Sequence, residues 1–129
     1  MKNFILTFIT VLAGGLLGYW GVPWWSLVPV GLAAGWLIRN TPARGFAAGF
    51  LAGFLLWGIW AFALDHANEG ILSARIGMLF QGLGNWMLIL ITALLGGLVA
   101  GFAVLSGCLG YDLAFPPKKG PYARRRRRR

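Results

Sequence analysis

The sequence predicts an all-α polytopic membrane protein, a bundle of four transmembrane helices with a short periplasmic interfacial helix. Three observations carry that fold class. Of 129 residues, 58% are hydrophobic and only 12% are charged, where a soluble domain carries about 25% charged residues. Four apolar stretches, residues 4–20, 24–38, 45–64 and 86–107, are separated by short polar breaks. Eleven of the twelve Lys and Arg residues then fall on one side of a four-pass thread: Lys2, Arg39 and Arg44, and Lys118, Lys119, Arg124, Arg125, Arg126, Arg127, Arg128 and Arg129. Only Arg75 lies opposite. Cytoplasmic loops collect Lys and Arg, so both termini are expected in the cytoplasm of a bacterial inner membrane.

The first stretch, residues 4–20, follows Lys2 as a secretory leader would. No small-x-small cleavage site precedes a polar mature start, so it reads as a retained helix. Gly21-Val22-Pro23 ends it and starts the next, with Gly past a helix end and Pro at a helix start. The second stretch, 24–38, is short for a bilayer core of about 30 Å and is interrupted by Pro29. Thr41 and Pro42 supply the cap and first turn of the third helix, and Asn85 the cap of the fourth. Between those helices, residues 65–84 carry Leu72, Ile76, Leu79 and Phe80 at helical spacing, with Asn68 as expected N-cap and Glu69 in the first turn. Too short to span, this segment is expected to lie in the outer interface or to cover the bundle. Residues 1–111 form the membrane domain on this reading and 112–129 a basic, disordered cytoplasmic tail.

Small residues recur four apart in every span: Gly14 and Gly18, Gly31 and Gly35, Gly45, Gly49 and Gly53, and Ala93, Gly97 and Gly101. In lipid no hydrophobic force drives helices together, so close backbone approach along such stripes supplies the association. Phe46, Phe50 and Phe54 form a neighbouring stripe, expected to face lipid or fill gaps. Six of the seven Trp residues fall toward the outer face, as an anchoring belt would.

The net charge of +9 is concentrated in the tail. Lys118, Lys119 and Arg124 to Arg129 lie just beyond the last span, where such clusters attract anionic lipid headgroups. Lipid is preferred to nucleic acid as their partner, and a plain topology lock is the competing role. Cys108 stands alone, which rules out an intramolecular disulfide and fits a small core residue. No charge lies at mid-bilayer depth. Asp65, His66, Glu69 and Arg75 form one outer polar cluster, read as an ion pair from Arg75 to Asp65 or Glu69 in preference to a ligand or proton site. No cofactor or metal spacing appears, nor the nucleophile and base of an enzyme.

Leu64 to Gly77, followed by the Gly-rich fourth helix, resembles small uncharacterised four-helix inner-membrane proteins of bacteria. The resemblance covers roughly residues 45–107 and implies no activity. Size and helix count are also similar to fluoride channels and small multidrug transporters. The transporters need a carboxylate in helix one, where this chain has Thr7 and Thr10; the channels need a polar break in helix three, which here runs unbroken from Gly45 to Leu64. The expected role is therefore a non-enzymatic structural or accessory subunit of a membrane assembly, in a homo-oligomer or larger complex. A small oligomeric channel or transporter is the alternative.

Overall fold

The computed structural model describes residues 1–17, 21 and 23–116, and the backbone alone at Trp24. Gly18, Lys118, Lys119 and Arg124 to Arg129, named above for packing and lipid contact, lie outside the described residues. Five α-helices and no strands occur among those described: α1 (Lys2–Leu16), α2 (Leu27–Leu37), α3 (Pro42–Ala67), α4 (Ile71–Leu79) and α5 (Asn85–Ala114), with a 3-10 turn at Trp24–Ser26. Two of them, α3 and α5, are long and apolar enough to cross a membrane. At 1.5 Å per residue they run roughly 39 and 45 Å, whereas α1 and α2 reach roughly 22 and 16 Å.

Boundaries differ from the expected ones for local reasons. Pro29 does not interrupt α2, because it sits in the first turn, where the backbone amide has no intrahelical acceptor. Thr41 does precede α3 in extended conformation with Pro42 at the first helical position, but its hydroxyl makes no capping bond. Gly84, not Asn85, is the N-cap of α5. That helix also continues past residue 107 through Asp112 to Ala114, so the tail does not begin at 112.

The largest correction falls at the start of α4. Asn68 is the C-cap of α3, and Gly70 is the N-cap of α4. The Glu69 amide donates to the His66 carbonyl (3.2 Å) and the Gly70 amide to the Asp65 carbonyl (2.9 Å). This pair of reversed bonds is the Schellman ending of a helix. It places Glu69 (φ 51°) and Gly70 (φ 69°) in the left-handed region, so Glu69 closes α3 and does not lie in the first turn of α4.

The core is built from small residues. Helices α3 and α5 pack antiparallel at backbone distance: a β-carbon on Gly49 would stand 2.8 Å from the Ala100 carbonyl oxygen, and one on Gly53 2.5 Å from that of Gly96. Gly45 lies against the Cys108 thiol. On α2, Gly35 meets the Val104 carbonyl and Gly31 meets Ala103, so α5 is sandwiched between α2 and α3. Gly14 of α1 receives Val30. Phe46 and Phe50 fill the gaps left by Gly101 and Gly97 and stack in a ladder with Phe54, with centroids 6.0 Å apart.

Large side chains point outward. Ile59 (66% exposed), Leu95 and Phe102 (both 56%) are typical, while Ala48, Ala52, Ala100 and Val104 have no exposed surface. Only 22% of the most apolar window of α3 and 39% of that of α5 are buried. A core helix of a soluble protein is mostly buried; these two show their apolar bulk to the surroundings.

Candidate functional site

One end of the bundle holds a cavity of about 440 Å³ lined by residues of all five helices and by Ser26 of the 3-10 turn. Leu27, Leu56, Trp57, Leu64 and Leu72 give it apolar walls, and Trp60 adds a second indole. Its polar lining comes from Ser26, Asp65, Asn68, Ser73 and Thr92. Among the described residues, Asp65 is the one charged residue in that lining.

The Schellman turn sets up this site. By reversing the chain within three residues, it brings Ser73 of α4 back over Asp65 of α3, and the Ser73 hydroxyl donates a hydrogen bond to Asp65 Oδ1. From the first turn of α5, the Asn85 amide donates to Asp65 Oδ2 at 3.5 Å, the long end of hydrogen-bond range. Gly70 makes the clasp sterically feasible, since a β-carbon there would stand 2.7 Å from the Asn85 amide nitrogen. Three helices thus meet on one half-buried carboxylate. An ionised carboxylate offers about four acceptor positions, so two donors leave it capacity to take more.

The four residues of the expected polar cluster do not converge. Asp65 turns inward to Ser73 and Asn85. His66 is exposed and stacks on Phe62, with centroids 6.3 Å apart and planes 8° apart. Glu69 and Arg75 are exposed, and among the described residues neither forms an ion pair. The reading of an Arg75 salt bridge holding the segment is therefore overturned: α4 is held by hydroxyl and amide donors. Ser73 and Asn85 were missed because their link to Asp65 depends on the tight left-handed turn. The signal available in the sequence was Gly70, placed between two apolar helical patterns.

A second polar network ties the opposite end. The Asn40 amide donates to Thr7 Oγ1 (2.8 Å) and to the Asn3 carbonyl (3.0 Å), and the Asn3 amide donates to the Arg39 carbonyl (2.7 Å). Thr7 is fully buried, so this bond satisfies a hydroxyl that would otherwise be costly. Thr10, Thr92 and Ser106 instead bond back to the helix carbonyls of Leu6, Leu88 and Phe102, as hydroxyls in apolar helices usually do. Beside that network, Arg39 lies 5.5 Å over the Tyr111 ring, which meets Trp36 edge-on.

Among the described residues, no group of three or more His, Cys, Asp or Glu side chains is placed to hold a metal ion. No protein family, curated protein or solved structure matches the chain.

Proposed function

We propose that the protein is a four-pass, non-enzymatic component of a bacterial inner membrane, with both termini cytoplasmic, serving as a structural or accessory subunit of a larger assembly. The observation that carries this reading is the inside-out arrangement of α3 and α5. Their small residues face each other at backbone distance, and their Leu, Ile and Phe side chains face outward. Such packing suits a solvent of lipid tails, where association rests on contact and not on apolar burial. Those exposed apolar side chains are also what a partner helix would cover. The skew of Lys and Arg supplies the orientation.

For α1 and α2 the four-pass reading requires local adjustment, because each is shorter than the roughly 17–25 apolar residues of an ordinary span. A short span is accommodated by thinning the bilayer or by lengthening at its ends. The α1–α2 hairpin packs alongside α3 and α5, with Asn3 and Asn40 at one end and the cavity at the other, which supports counting it as a membrane hairpin.

The transport alternative has one observation in its favour, the cavity with a carboxylate at its edge. Against it, the centre of the bundle among the described residues is filled by Val11, Ala52, Ala100 and Val104.

Compartment-specific reporters fused after Thr41, at Gly77 and at the C-terminus test the topology. Cytoplasmic activity is expected at the first and third and periplasmic activity at Gly77. A periplasmic C-terminus would overturn the reading. Native purification in mild detergent is expected to bring the same partner chains down stoichiometrically. Isolation of only a solute-conducting homo-oligomer would favour the alternative.

A further inference from the structure

We propose that the cavity beneath α4 is a binding site for one compact lipophilic cation, an aromatic or alkyl ammonium compound with its charge beside Asp65 and its apolar body against Leu27, Leu56 and Leu64. The inference is independent of whether the protein serves as a subunit or moves a solute.

Size is the first constraint. Small-molecule sites occupy about 300–1,000 Å³, and a cavity of about 440 Å³ lies toward the lower end. It takes a single ring system or short chain and not a two-chain phospholipid. The second constraint is the lining, which is mostly apolar with few polar groups, the usual composition of a site that buries most of its ligand. Charge sets the third. Among the described residues, Asp65 is the single ionisable residue in the lining and no cation pairs with it. Its two oxygens take only neutral donors, Ser73 and Asn85. An anionic ligand would meet repulsion there; a cationic one would gain a partner in surroundings drier than water, where the attraction is stronger. The fourth is aromatic. Trp57 lines the same cavity, and an ammonium group is drawn to an indole face by the ring quadrupole. A carboxylate and the Trp57 indole beside an apolar volume select for a cation whose charge sits on an apolar body.

Access also fits. Leu72 lines the cavity and is itself exposed, so a lipophilic cation arriving from the bilayer reaches the cavity edge there without crossing the packed centre.

Phenyltrimethylammonium and its uncharged isostere tert-butylbenzene are the probes, applied to the full chain in neutral detergent. Equilibrium dialysis of the labelled cation is expected to show saturable binding of one equivalent. Asp65→Asn keeps the size and the capacity to accept from Ser73, and should weaken the cation at least tenfold. Ala61→Phe fills the cavity from α3 and should abolish binding while helical content is retained. Asp112→Asn removes a carboxylate at the far end of α5 and should leave affinity within twofold. Unsaturable binding, or equal binding by the parent, Asp65→Asn and Ala61→Phe, would overturn the proposal. So would competition by tert-butylbenzene as effective as by the unlabelled cation, which would mark a plain apolar void. A phospholipid retained by the parent and released by Ala61→Phe, with no cation bound, would assign the cavity to lipid and overturn the proposal as well.

Discussion

The Ser73 hydroxyl reaches back across the end of α3 to the Asp65 carboxylate, fastening a nine-residue helix to a twenty-six-residue one. Helix α4 has little else to hold it. Its outer face is exposed, Gly77 is its single buried residue, and the Leu83 carbonyl rests directly on that glycine. The clasp on Asp65 is therefore the side-chain hydrogen bond that joins α4 to α3 among the described residues.

Removing the Ser73 donor tests this directly. A hydrogen bond to a charged group contributes about 1.5–3 kcal/mol when buried, and less when half-exposed as here. Ser73→Ala should destabilise the α4 cover by about 1 kcal/mol while leaving global unfolding of the α3–α5 pair unchanged. Hydrogen exchange on the α4 amides reads the difference: several-fold faster exchange in residues 71–79 with unchanged protection in α5 is expected. Uniform exchange rates in parent and variant would show that α4 is held by its apolar contacts alone.

The α3–α5 seam gives a sharper contrast. A β-carbon on Gly49 would already stand 2.8 Å from both the Ala100 carbonyl oxygen and a Val104 methyl, so any side chain there separates two backbones. Overpacking costs about 1–3 kcal/mol where side chains can move aside, and backbone cannot. Gly49→Leu should therefore cost about 3 kcal/mol or more, or prevent assembly. Phe50→Leu removes a half-buried ring from over Gly97 and breaks the stack with Phe46 and Phe54, at a cost of about 1 kcal/mol. Thermal unfolding in mild detergent, followed by circular dichroism, should rank the two in that order. Equal, small shifts would mean that the glycine stripe is not the contact face.

These two tests also mark where the sequence was legible. Small-residue spacing alone placed Gly31, Gly35, Gly45, Gly49 and Gly53 on contact faces, because a four-residue period fixes a helix face whatever the neighbours are. The number of long apolar helices was less legible: residues 4–20 and 24–38 have the composition of spans, but the helices they form are short. The site was harder still. Asp65 stood out as a rare charge, yet its partners depend on a turn closed by Glu69, a residue with no intrinsic preference for left-handed backbone. Ion-pair reasoning favoured Arg75 because charge is visible in a sequence and turn geometry is not.

The tail makes a prediction from sequence alone, since Arg124 to Arg129 lie outside the described residues. Each Lys or Arg near an anionic leaflet contributes about 1 kcal/mol, screened by salt. Truncation after Ala123 should leave topology intact, because Arg39 and Arg44 still mark the cytoplasmic side, and should abolish salt-sensitive retention on phosphatidylglycerol vesicles. Unchanged retention would leave the topology role alone. Retention transferred to nucleic acid in a filter assay would identify the rival partner.

Glu69 offers a test in which stability should rise. The residue sits at φ 51°, where a β-carbon crowds the following carbonyl and costs an ordinary residue roughly 1–2 kcal/mol. Its side chain is exposed and has no hydrogen bond or ion pair among the described residues, so little is lost on deleting it. Glycine is free of the crowding but loses more backbone entropy on folding, about 0.5–1 kcal/mol, which offsets part of the gain. Glu69→Gly should therefore stabilise the α3–α4 turn by up to about 1 kcal/mol. Glu69→Val, β-branched and stiffer, should destabilise it by a similar amount. Exchange of the Gly70 amide, which donates to the Asp65 carbonyl, follows the turn itself and should slow in the glycine variant and quicken in the valine one. Faster exchange in Glu69→Gly than in the parent would show that the carboxylate, and not the backbone, holds the turn.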